Sequence, residues 1–138
     1  MIAQIYIGAT LENQRNKKVH ATNLALRLLL ELMALSGIAI LAWNLTDGLW
    51  RYVAAVAAVI LIGAIWGAFA VPDDPSRSGN ATVPVPGALR LFLEFAILFG
   101  GAWALHAAGF AWAGPPISLM IIVHYLLWTD RIVWLLQQ

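Results

Sequence analysis

Four apolar stretches, each long enough to cross the hydrocarbon core of a bilayer, leave this sequence few folds to adopt. They cover about residues 22–44, 50–71, 87–109 and 114–136. A crossing needs roughly 20 helical residues, at a rise of about 1.5 Å each. Inside lipid the backbone must satisfy its own hydrogen bonds, so a single segment crosses as a helix, and strand-like alternation is absent. Composition agrees. Of the 138 residues 62% are hydrophobic and only 11% charged, with a mean hydropathy of +0.79. A soluble domain carries about 25% charged residues. The expectation is an all-α integral membrane protein: a four-helix bundle of two tandem helical hairpins, with the lipid bilayer as its main partner.

The connections fit that plan. Asn44–Gly48 is a short polar turn, and Ala113–Pro116 places two prolines in the first turn of a helix, where the missing N–H costs little. Pro72–Gly87 holds four of the six prolines and most of the mid-chain charge, and is expected to be an exposed loop. Residues 1–21 combine an apolar start with a basic, polar continuation, the reverse of a signal peptide, and are read as a cytoplasmic or interfacial arm. Arg15, Lys17, Lys18 and Arg77 flank one side of the spans and Arg51 alone the other. That bias places both termini in the cytoplasm of a bacterial inner membrane. Trp43, Trp50, Trp103 and Trp112 then form an outer aromatic belt. The sequon at Asn80 would face inward and is read as chance. The net charge of +1 suggests no nucleic-acid partner, and the absence of cysteine excludes disulfides and thiolate metal sites.

An internal repeat organises the charges. A shift of 63 residues lays Arg27 on Arg90 and Glu31 on Glu94. Nine of the eighteen positions from Ala25 to Ala42 are then identical, Gly37 among them. Two hairpins in the same orientation imply a pseudo-twofold axis along the membrane normal, with the first and third helices parallel.

The segments "NLALRLLLEL", "WGAFAVP" and "LRLFLEFAILFGGAWALHAAG" resemble, in that order, the YrdB-like family of small bacterial membrane proteins. The resemblance covers most of the chain beyond residue 22. It supports the multi-span fold and implies no activity. One departure is Asp130-Arg131, where the family pattern has Asn-Arg, which adds a carboxylate.

Residues four apart share a helix face, so Arg27 and Glu31 can pair, with Asn23 on the same stripe, and Arg90 and Glu94 repeat the arrangement. The last span brings Asp130 and Arg131 to a similar depth, with His124 about two turns deeper on the face of Arg131 and Asp130 about 100° round from it. Ionised residues in mid-span cost at least about 2.5–3.5 kcal/mol and avoid lipid. These side chains are therefore expected to converge on one polar cluster in the cytoplasmic half. Three readings stay open. The cluster binds or moves a small, partly polar molecule or ion, its guanidiniums favouring anionic groups. Alternatively, Glu31, Glu94 or Asp130 performs acid–base chemistry on a lipophilic substrate, such as isomerisation, cyclisation or epoxide opening. Alternatively, the ion pairs only fix helix register. His124 lacks the Glu-x-x-His spacing of di-iron bundles, and neither a metal nor a cofactor is expected. A homo-oligomer that completes a pore also fits so small a chain.

Overall fold

The computed structural model describes residues 2–74 and 81–138, with side chains described from residue 21 onward. Arg77 and Asn80, and the side chains of Arg15, Lys17 and Lys18, lie outside what it describes. The chain is mostly helical: α1 (Ile2–Asn44), α2 (Trp50–Ala68), α3 (Gly87–Ala107), α4 (Gly114–Leu127) and α5 (Thr129–Leu136). Two short strands, β1 (Phe69–Ala70) and β2 (Val83–Pro84), pair in parallel between α2 and α3. The helix of the first span extends without a break through the backbone of the preceding arm.

Three helical segments are long and apolar enough to cross a membrane: Ala21–Asn44, Trp50–Ala68 and Gly87–Ala107. The fourth stretch is not the single straight span that its apolar length suggests. It consists of α4 and α5, bent by 73° at a break between them. The break lies at Trp128, whose backbone (φ −121°, ψ 44°) leaves the helical region. By rise per residue, α4 alone is only about 21 Å long.

Helix α1 packs along both α2 and α3, and α3 in turn carries α4 and α5. The α1–α3 pair is therefore the centre of the molecule. Helices this apolar gain little from hydrophobic association with one another in lipid, and close van der Waals packing takes its place. Small residues permit it here. A Cβ on Gly37 would collide with the Gly101 carbonyl, and one on Gly101 with the backbone of Ala34. The glycine that the repeat matches to Gly37 is Gly100, yet a Cβ there would meet nothing within 4 Å. The crossing thus uses the neighbouring glycine. Leu30, Ala34, Leu98, Ala102, Ile117 and Ile121 fill the core around this contact.

The two ends of the molecule differ. At one end the α1–α2 and α3–α4 turns lie together, with the Asn44 side-chain amide donating to the Ala108 carbonyl at the C-terminal end of α3 (3.0 Å). Trp50, Trp103 and Trp112 are exposed there. At the other end, β1 and β2 pin the loop after α2 against the start of α3, helped by a bond from Val85 N–H to the Ala70 carbonyl. Helix α5 folds back on the same place: the Leu135 backbone fills the space beside Gly87, which has no room for a Cβ. The loop is not uniformly exposed, as its prolines and charges suggest, because Val71, Asp74 and Val85 are buried.

Candidate functional site: an arginine-clamped carboxylate

Glu94 is the centre of the polar cluster, and its side chain has no exposed surface. It projects from the second turn of α3 toward α1, α4 and α5. An ionised carboxylate at such a site needs partners, since burying one alone costs many kcal/mol. It has them. Its Oε1 accepts from Arg27 Nη2 (3.0 Å), Arg90 Nε (3.2 Å) and Arg131 Nη2 (2.6 Å). Its Oε2 accepts from the Tyr125 hydroxyl (2.8 Å). Three donors converge on Oε1 and one on Oε2, so both oxygens are engaged.

Each arginine has a second anchor that fixes its direction. Arg27 Nε donates to Glu31 Oε1 at 2.8 Å, one helical turn along α1. Arg131 forks onto Asp74, with Nη1 at 3.0 Å from Oδ1 and Nη2 at 3.2 Å from Oδ2. Arg90 Nη1 donates to the Trp66 carbonyl (2.7 Å) and the Phe69 carbonyl (2.5 Å). Those carbonyls belong to the end of α2, where helical C=O groups lack intrahelical partners and carry negative dipole charge. Arg90 therefore caps α2 while it holds Glu94. The guanidiniums also lie over indole rings. Arg27 and Arg90 are 5.7 and 4.8 Å from the centre of Trp66, and Arg131 is 5.6 Å from Trp128. Such stacking suits the weakly hydrated face of a guanidinium.

Formal charges balance. Arg27, Arg90 and Arg131 face Glu31, Glu94 and Asp74. The repeat does not extend to the pairing pattern, however. Arg27 crosses to Glu94, whereas among the described residues Arg90 makes no ion pair with Glu31. The reason is local. Arg90 sits in the first turn of α3, beside the end of α2, and its Nη1 is taken by the Trp66 and Phe69 carbonyls.

Of the residues the sequence singles out, Arg27, Glu31, Arg90, Glu94 and Arg131 meet in the cluster. Asn23 is half-buried, one turn before Arg27. His124 is buried at 1% exposure, edge-on to Tyr125 and Trp128 with centroids 5.2 and 5.5 Å away. Its Nδ1 has no hydrogen-bond partner among the described residues. Asp130 is exposed and stands apart from the cluster. Among the described residues no three His, Asp or Glu side chains are grouped as metal ligands.

Two members escape a reading of the sequence. Asp74 lies in a loop whose composition suggests exposure. A charge tally was the available signal, because three arginines in the apolar stretches against two glutamates leave one guanidinium short of a carboxylate. The missing partner is Asp74 rather than Asp130. A tight turn aims it, with Asp73 in the left-handed region (φ 57°) that Asp tolerates better than most residues. Tyr125 is the other. A phenol buried in an apolar helix needs an acceptor, and Glu94 supplies it.

The cluster opens at one edge. Glu31 keeps 25% of its side-chain surface exposed, and only its Oε1 has a partner among the described residues. It contributes to the lining of a cavity of about 70 Å³ between α1, α2 and α3, with Leu35, Ile62, Gly63, Trp66 and Ile97, whose wall is almost wholly apolar.

Comparison with known proteins places the same segment within a family. A family model described as "Protein of unknown function (DUF2568)" matches residues 25–124. The match starts just before Arg27 and ends at His124. The chain is 39% identical over 126 residues to the uncharacterized protein YrdB of Bacillus subtilis (strain 168), an alignment covering 88% of this chain and 99% of that protein. No solved structure matches.

Proposed function

Since the chain belongs to the DUF2568 family of proteins of unknown function, its role must be argued from its own geometry, and we propose that it is an integral membrane protein that binds a small, partly polar molecule at the Glu31 edge of its ion-pair cluster. In this reading it crosses the bacterial inner membrane four times, with α4 and α5 as a bent fourth crossing. The lysine and arginine bias puts both termini and the cluster on the cytoplasmic side. The α1–α2 and α3–α4 hairpins are the two halves of the repeat. The packing of α2 on α1 and of α4 on α3 around a central α1–α3 pair supports that view.

The observation that carries the proposal is the contrast between the two glutamates. Glu94 is dry and holds four donors, so its work is structural: it ties α1, α3, α4 and α5 into register. A general acid or base must exchange its proton with a substrate, and Glu94, fully buried and held by three arginines and a tyrosine, does not fit that role. Glu31 differs. It is held by a single arginine contact and keeps an oxygen open beside an apolar cavity.

Native mass spectrometry of the purified full-length protein, released gently from micelles, tests this. The wild type should carry a bound small molecule that Glu31→Gln retains much less, with both proteins equally folded. Identical spectra from the two would remove the binding role.

A further inference from the structure

The cavity beside Glu31 constrains the chemistry of its occupant, and this inference rests on the binding reading above. Five of the six lining residues, Leu35, Ile62, Gly63, Trp66 and Ile97, offer no charge; the sixth is Glu31. Its Oε1 is spent on Arg27 Nε, and Oε2 is left as an acceptor without a donor among the described residues. An unpaired acceptor on an ionised group in apolar surroundings favours any ligand that brings an N–H or O–H.

Charge narrows the choice. The cluster is neutral as it stands, with three arginines against three carboxylates. A cation would leave a net positive charge where the dielectric is low, and an anion would face the Glu31 carboxylate directly. A neutral donor preserves the balance. Size narrows it further. A cavity of about 70 Å³ is roughly half the volume of an apolar cavity that holds benzene, about 150 Å³. It accepts the end of a molecule, not the whole of one.

The way in is from the side. Gly63 is exposed, and a Cβ there would meet nothing within 4 Å. No residue of α2 is buried, and Ile60 and Leu61, beside Gly63, are 63% and 62% exposed. The mouth therefore faces the acyl chains, where the remainder of an apolar molecule is well solvated. We infer that the cavity seats the hydroxyl end of an uncharged lipophilic alcohol, which enters from the bilayer past Gly63 and donates its O–H to Glu31 Oε2. The tail stays in lipid along α2.

The test uses the full chain in phosphatidylethanolamine/phosphatidylglycerol nanodiscs and an octanol carrying a diazirine in its chain. Photolabelling of the Ile62–Trp66 segment, mapped by mass spectrometry, should saturate. Excess 1-octanol should suppress it about tenfold more effectively than octyl methyl ether, which lacks the O–H, a difference equal to one charge-assisted hydrogen bond. In Glu31→Gln the amide oxygen takes over the contact with Arg27 and an NH₂ faces the cavity, so alcohol and ether should compete alike. Gly63→Leu should lose the labelling while its melting temperature stays near that of the wild type. Equal competition by ether and alcohol in the wild type would overturn the hydroxyl assignment, as would octylamine or octanoate competing better than 1-octanol; these outcomes leave the binding reading standing. No saturable labelling by any of the four competitors' class of probe, the amine and acid diazirines included, would overturn both.

Discussion

Arg131 Nη2 lies 2.6 Å from Glu94 Oε1, although the two residues are 37 positions apart. The bend between α4 and α5 makes this contact. Tyr125 and Arg131 flank the bend and bond the same carboxylate. On a straight helix their Cα atoms would be separated by about 9 Å along the axis. Turning α5 through 73° folds both side chains onto one acceptor and lays Leu135 against Gly87. The break thus closes the cluster.

Loss of the central carboxylate should be severe. Glu94→Leu leaves three guanidiniums without their common acceptor, and removing one partner of a buried pair costs about 3–5 kcal/mol. Adding Arg90→Leu to it should not restore stability, since Arg27 and Arg131 still lose Glu94. Thermal melting in detergent checks both variants. A double variant as stable as the wild type would show that Arg90 and Glu94 act as an isolated pair.

Asp74 is expected to hold α5 in place. Asp74→Asn removes the charge from a two-point contact with Arg131 (3.0 and 3.2 Å) and should destabilise by about 1–3 kcal/mol. The effect should be local. Hydrogen exchange of the Thr129–Leu136 amides should quicken, while exchange in the middle of α1 changes little.

Two adjacent glycines should respond differently. Gly101→Ala puts a methyl group into the backbone of Ala34 and should cost about 1–3 kcal/mol or more through forced separation of α1 and α3. Gly100→Ala meets open space and should be neutral or stabilising by up to about 1 kcal/mol, the helix propensity difference. Similar losses from both would mean that the helices cross elsewhere.

Topology can be read on a chain that has no cysteine of its own. Leu49→Cys and Asp73→Cys place single thiols at exposed positions at opposite ends of the molecule. An impermeant reagent added to intact cells should label position 49 and spare position 73. The reverse pattern would put the cluster on the outer side.

Sequence alone determined the helical, apolar class of this protein and the two ion pairs within its helices. Stretches such as residues 53–68 are apolar around their whole circumference, and lipid leaves an isolated segment no alternative to a helix. The four-residue spacing of Arg27 with Glu31 and of Arg90 with Glu94 fixes each pair on one face by helical geometry, whatever surrounds it. Both pairs therefore form within their own helices. Which groups complete the cluster is a different kind of question. Asp74, Tyr125 and Arg131 reach Glu94 and its arginines through a turn at Asp73, a break at Trp128 and the packing of α5 on α3. None of these has a period to read. The division of labour between two equivalent glutamates was likewise a tertiary matter. Glu94 faces three neighbouring helices and is sealed, while Glu31 faces the open side of α2 and keeps an oxygen free. Spacing along a helix dictates which residues share a face; only the contacts across faces decide which carboxylate is spent on the fold and which stays available.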